Sequence, residues 1–425
     1  MANSLNAFGP VDHAYYELGD VRLVRGSGVR VWDSAGREYL DCVSGTFNLF
    51  LGHGDPEVTA AIKSQADELI FASSMFQTDS TNKVIELLAG MTPANLTRVN
   101  LRSSGGSTAN EGAIKIAQMH TGRRDVIVPF RSHLGQTMAM SALNGISRVR
   151  APFPATYPQS ITVPDAYCLR CFYREQPDSC GLLCVDRIDD FLTYASTGSA
   201  ACMIIEPISG VGGNIIPPPA YLQRLRKFCD DRGIILIFDE AQTAFGRTGF
   251  LTAADAFGVQ PHIMTVSKGL SGSGLPLAGI ITEERLVGMA RSLHGFTAGG
   301  HPVAAAAAVV TLERIRQPEF LESVRTVGAA LLTDLSALRT RFPEIYDVRG
   351  LGLMLGVEMA EPDGSRSPGL ANALHRALMA RGVITRVSEH GQGNTIELRP
   401  PLILTPQDAR LIAARFGEAL ESMRR

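Results

Sequence analysis

Between residues 234 and 268 the chain does one thing twice: it runs a short apolar strand and delivers a charged residue where the strand stops. Residues 234–238 form a continuous apolar run that ends at Asp239-Glu240. Pro261-His262 lead into Ile263–Val266, and Lys268 arrives in the same way. In open α/β sheets the carboxyl ends of parallel strands are where chemistry collects. A carboxylate and a lysine offered there together suit pyridoxal phosphate (PLP). The lysine makes a Schiff base with its aldehyde, and the carboxylate keeps its ring nitrogen protonated, so the ring acts as an electron sink. An Asp at a strand end also serves as a helix cap or turn residue, and a Lys is ordinarily solvated. The setting separates this pair from those readings. Lys268 follows an apolar run where an unpaired charge is costly, and it precedes G-L-S-G-S-G-L-P, which is expected to let backbone approach a ligand.

The rest of the chain alternates in the same style. Strands are expected at Asp125–Pro129, 201–206, 234–238 and Ile263–Val266, with helical crossovers between them, which predicts a mostly parallel sheet. Residues 102–120 run from a Ser/Gly-rich loop into an apolar-periodic helix, a junction that aims backbone N–H groups at one point and suits a phosphate. No G-x-G-x-x-G occurs, so a dinucleotide fits poorly. Residues 21–39 read as a β-hairpin, residues 41–56 as a loop, and Pro56 opens a helix to about residue 71, with another at 80–90. A helix at 304–316 leads out of the sheet domain. Beyond it come a helix at 324–342, a strand over 346–359, a helix at 370–381, strands at 383–387 and Thr395–Leu398, and a last helix from Pro406. The expected fold class is α/β: a large domain at 61–310 and a smaller α+β domain made of segments 1–60 and 311–425.

Composition narrows the function classes. A chain of 425 residues that is 45% hydrophobic and 19% charged can bury a large core. Its net charge of −2 gives no pull toward nucleic acid or anionic membrane. The first ten residues lack a basic start and an apolar stretch, and the run 303–310 is too short to span a bilayer, so a cytoplasmic protein is expected. Four of the seven cysteines cluster as Cys168-x2-Cys171-x8-Cys180-x3-Cys184. The spacing is close to zinc or iron–sulfur sites without matching a standard ribbon, and packed, reduced thiols are the alternative. No metal is assigned.

With these pieces in place, the sequence resembles the class III PLP-dependent aminotransferases, the ornithine, 4-aminobutyrate and ω-amino acid group. The resemblance runs from W-D-S-A-G-R-E-Y-L-D to L-R-P-P-L, and F-D-E-A-Q-T-A-F-G-R-T-G followed by S-K-G-L is its most specific part. It implies fold type I and a homodimer with shared active sites. It also implies Lys268 as the Schiff-base lysine, Asp239 as partner of the ring nitrogen and Gln242 near the phenolic oxygen. Gly105, Gly106 and Ser107 are implied at the phosphate, Thr297 at the phosphate of the partner subunit, and His133 where relatives stack an aromatic ring. Glu206 is implied beside the site and Arg399 at a substrate carboxylate, a role that suits a bidentate guanidinium. Thr46, Phe47, Asn48, Met75 and Val211 are expected around the substrate. Relatives acting on both ω-amino acids and glutamate carry a gating Glu where this chain has Val211. The loop G-G-S-T-A-N-E departs from G-T-E-A-N-E, Ala241 replaces Val or Ile, and His301 replaces Asn.

The expected activity is transamination between an amino acid or ω-amine and an oxo acid or aldehyde. A racemase or epimerase on the same fold is the alternative. It needs a second proton donor opposite Lys268, which Val211 cannot be and His133 keeps open. A dialkylglycine-type decarboxylase is expected to show Gln in place of Thr46. A metal-binding protein built on the four cysteines is the rival from another class.

Overall fold

A computed structural model describes residues 21–152, 160–286 and 289–424. Three antiparallel strands come first: β1 (Leu23–Ser27), β2 (Arg30–Asp33) and β3 (Glu38–Asp41), so the hairpin expected at 21–39 gains a third strand. The central sheet follows. Its strands are β4 (Leu96–Ser103), β5 (Asp125–Pro129), β6 (Ser160–Val163), β7 (Ala200–Ile205), β8 (Ile235–Asp239), β9 (Ile263–Val266) and β10 (Ala278–Glu283). Their spatial order is β4-β10-β9-β8-β7-β5-β6. Strands β5 to β9 pair in parallel, while β10 runs against both its neighbours, β4 and β9. Every residue of β5, β7, β8 and β9 is buried, as strands covered by helices on both faces must be.

Helix starts are chemically marked. Asp55 accepts from the amides of Glu57 and Val58 at the head of Pro56–Glu68, and Thr78 caps Asp79–Met91. Both helices pack on Pro302–Ile315, whose run of alanines allows close approach. The helix expected at 324–342 instead spans Pro318–Ala337, because Pro318 at its first turn is a starting residue rather than a breaker.

The single strand expected over 346–359 is a hairpin of β11 (Ile345–Leu351) and β12 (Met354–Met359). Gly352 makes the turn at φ +57°, and a Cβ there would stand 2.4 Å from the Thr248 carbonyl carbon. The stretch 383–387 also divides. β13 (Val383–Ile384) joins β3 in parallel, and β14 (Arg386–Val387) pairs with β15 (Thr395–Leu398), so Thr385 alone separates two sheets. The second of those sheets runs β11-β12-β15-β14. This crossing ties the N-terminal strands to the C-terminal segment and delivers Arg386 toward the carboxyl ends of the central strands.

Candidate active site

The parallel strands all release the chain at one edge, and five of them contribute to one cleft there. Gly106 and Ser107 follow β4, His133 follows β5, Glu206 follows β7, Asp239 ends β8 and Lys268 follows β9. All six line a cleft of about 850 Å³ that Thr46, Phe47, Val211, Gln242, Arg386 and His390 close from other directions. Lys268 stands at φ +45°, Phe47 at φ +65° and His390 at φ +53°. Left-handed backbone in non-glycine residues is strained and collects at functional sites.

The cleft is an electrostatic compromise. Lys268 makes no hydrogen bond or ion pair among the described residues, and its Nζ lies 5.8 Å from the centre of the Phe47 ring. Burial pulls its ammonium down from 10.5 to about 8, although nearby Asp239 opposes the fall. Asp239 accepts from Asn110 Nδ2 at 2.7 Å and from the Ala241 amide at 3.0 Å. Burial still raises its carboxyl above the ordinary value. Glu206 accepts from the amides of His133 and Gly210, each at 3.0 Å, and burial, then Asp239, push it up to about 7. His133 is driven down to about 3, chiefly by burial and then by His390, whose ring meets it edge-on at 5.0 Å.

This donor set fits PLP. An amine and a carboxylate face one cavity without pairing with each other, which leaves both for a third group. The helix Gly106–Thr121 opens on the cleft, and its first amides have no intrahelical acceptor. Gly105 is the cap of that helix rather than part of the cleft lining, and Thr108 Oγ1 receives its amide.

Other expected residues fall elsewhere. Arg399 is fully enclosed and outside the cleft lining: Nη1 donates to Gln242 Oε1 at 2.7 Å, Nε donates to Asn214 Oδ1 at 3.0 Å, and Phe47 covers it at 4.1 Å. Its Nη2 also stands 3.4 Å from the buried Glu397 carboxylate, so its contacts here lie behind the cleft. Arg386 does line the cleft. Its Nη2 bonds His390 Nδ1 at 2.8 Å and it forms no ion pair among the described residues. Sequence reasoning missed it, since a lone Arg at a two-residue strand carries no periodic or motif signal. Thr297 is exposed, outside its own chain's cleft, and Met75 is 75% exposed. Two of the glycines after Lys268 are required by packing. A Cβ at Gly269 would come within 2.1 Å of the Phe50 ring, and one at Gly272 within 2.2 Å of Thr311 Oγ1.

Comparison with known proteins points the same way. A family model, aminotransferase class III, matches residues 13–420. The chain is 33% identical to an acetylornithine aminotransferase of Methanosarcina acetivorans, covering 91% of this chain and 88% of that one. It is 32% identical to a leucine/methionine racemase of Thermococcus litoralis, covering 90% and 86%. The PLP-bound crystal structure of an amine transaminase from an uncultivated Pseudomonas species superposes with a TM-score of 0.88 at 29% identity, covering 97% of this chain and 98% of that one.

Proposed function

We propose how these residues work from one premise: the chain belongs to the class III aminotransferases and is a PLP-dependent transaminase of fold type I. When bound, PLP supplies an aldehyde that condenses with amines and a ring that takes up electrons as a bond to the substrate carbon breaks. Lys268 is the residue whose amine holds the cofactor covalently between turnovers. Freed from it, the same amine carries a proton to and from the substrate carbon, a task its lowered pKa suits near neutral pH. Asp239 would keep the ring nitrogen protonated, Gly106 and Ser107 would hold the phosphate, Gln242 would face the phenolic oxygen, and His133 would lie against the ring. Glu206 orients His133 through its amide. The observation that carries this reading is the shared cleft, in which Lys268 and Asp239 stand without an ion pair.

Substrate recognition is assigned to Arg386, with Thr46, Phe47 and Val211 shaping the pocket. Among the described residues the Arg386 guanidinium is not committed to any carboxylate, and Arg399 positions Gln242. The substrates in this reading are an amino acid or ω-amine as donor and an oxo acid or aldehyde as acceptor. A donor screen tests it: loss of the bound cofactor's visible absorbance on adding an amine, and its return on adding an oxo acid.

The racemase among the relatives gives the rival reading a footing. A second proton donor is what racemisation needs, and the cleft offers little. Val211 is a hydrocarbon, and a His133 held near 3 is neutral at physiological pH. Incubation of one enantiomer without an oxo acid separates the two: racemisation under that condition sinks transamination as the main activity.

The exposed apolar stretch Leu69, Ile70, Phe71, Met75 and Phe76 supports a homodimer, since a patch of this kind on a soluble chain marks an interface. In that dimer Thr297 of the partner subunit would reach the phosphate. The domain division 61–310 against 1–60 with 311–425 is part of the same proposal, as is a cytoplasmic location, which suits seven cysteines carried as thiols. Among the described residues no helix is long and apolar enough to cross a membrane.

A further inference from the structure

The transaminase site leaves the four-cysteine loop unexplained. The chain's seven cysteines fall into two kinds. Cys42, Cys202 and Cys229 are sealed in the apolar core, where a thiol acts as a small hydrophobe. Cys168, Cys171, Cys180 and Cys184 are all partly exposed, and all four line one cavity of about 20 Å³. That is room for about one water-sized particle. The two pairs are presented on compact turns. Cys168 opens a single 3-10 turn and Cys171 closes it, while Cys184 sits in the short helix Leu183–Asp186, which the Cys180 carbonyl precedes by accepting from the Leu183 amide at 3.2 Å.

The loop is also anchored from outside. Arg170, between the first two cysteines, donates through Nε to Glu358 Oε1 at 2.6 Å and through Nη1 to the Gly364 carbonyl at 3.1 Å. Tyr167 OH donates to the same Glu358 carboxylate. The Arg170 guanidinium lies over the Tyr346 ring at 5.0 Å, so the loop is held to the hairpin side of the fold.

We propose that these four thiols bind one Zn²⁺ as a structural tetrathiolate site that braces the loop against the β11–β12 hairpin. Zinc takes four ligands tetrahedrally, and paired cysteines two or three residues apart are its usual presentation. Four thiols lose four protons and form four Zn–S bonds, leaving a cluster of charge −2. Among the described residues no three His, Cys, Asp or Glu side chains stand already gathered to hold a metal, so uptake requires the thiols to turn into the cavity they share. Burial, with the other three thiols adding to it, pushes Cys184 up to about 12. A bound cation reverses that preference by deprotonating its ligands outright. Two disulfides are the competing chemistry for the same sulfurs.

The test uses PLP-loaded protein purified with reductant, incubated with zinc chloride alone and freed of excess by gel filtration. Elemental analysis is expected to give about one zinc per chain. Native thiol titration is expected to lose the four loop thiols and regain them when a chelator is added. The double variant Cys171→Ser/Cys180→Ser is expected to lose the zinc while retaining bound PLP. A zinc-free wild-type protein overturns the proposal, as does equal zinc in the double variant. So does an intact mass short of two or four hydrogens, which marks disulfides. If the double variant does not fold, the wild-type titration still decides.

Discussion

At the scale of single residues, the chemistry depends on what burial does to Lys268. Its amine at about 8 is neutral above that pH and protonated below it, so PLP capture by cofactor-free protein is expected to quicken with pH and level off above about 8. An ordinary lysine would keep gaining toward 10.5. Stopped-flow uptake across pH checks this, and a rate still climbing well past pH 9 contradicts it. Replacing Asp239 by Asn removes the charge opposite the ring nitrogen and is expected to lower kcat by roughly 10²–10⁴-fold, the span of a proton-handling group. Arg386→Ala removes a charge-assisted pair of about 1.5–3 kcal/mol, so KM for carboxylate-bearing substrates is expected to rise about 10- to 100-fold. An amine without a carboxylate should be largely unaffected. Arg399 and Arg386 also mark what a sequence does not display at this scale. Arg399 sits in a recognisable motif but lies behind Phe47, and Arg386 has no motif but faces the cavity. A side chain's direction depends on tertiary packing, which one sequence does not display.

At the scale of elements, the fully buried parallel strands of the central sheet were legible, and its half-exposed or very short strands were not. β5 and β9 match the expected bounds, and β7 and β8 differ by one residue, because an unbroken apolar run needs no partner to be read. β4, half exposed with Arg98, Asn100 and Arg102 along it, gives no such signal, and the four-residue β6 is too short. The β11–β12 turn was hidden because Gly350, Gly352 and Gly356 recur at even-numbered intervals through the stretch, so none of them singles out the turn. The Lys268 turn carries a prediction of its own. Gly269→Ala forces a Cβ to within 2.1 Å of the Phe50 ring. Overpacking of this kind costs about 1–3 kcal/mol, so the melting temperature is expected to fall and PLP capture to slow. Unchanged melting and unchanged capture would show that the Phe50 contact does not hold the turn.

At the scale of the whole molecule, the fold explains why one chain brings distant residues together. Five strand ends and the β13–β14 crossing converge on one cleft, and the exposed apolar stretch 69–76 is the face assigned above to the proposed dimer. Ile70→Asp with Phe76→Asp is expected to convert a dimer to a monomer in light scattering and to weaken PLP binding with it. A dimer that persists with full PLP retention places the interface elsewhere. The central claim is narrower than any of these: Lys268, opposite Asp239, is the residue that holds the cofactor. Borohydride reduction of the PLP-loaded protein followed by peptide mass mapping tests it most directly. The account predicts the cofactor's mass on the peptide containing Lys268 and none on the Lys268→Ala protein; a label on another lysine, or an equal label on that variant, would contradict it.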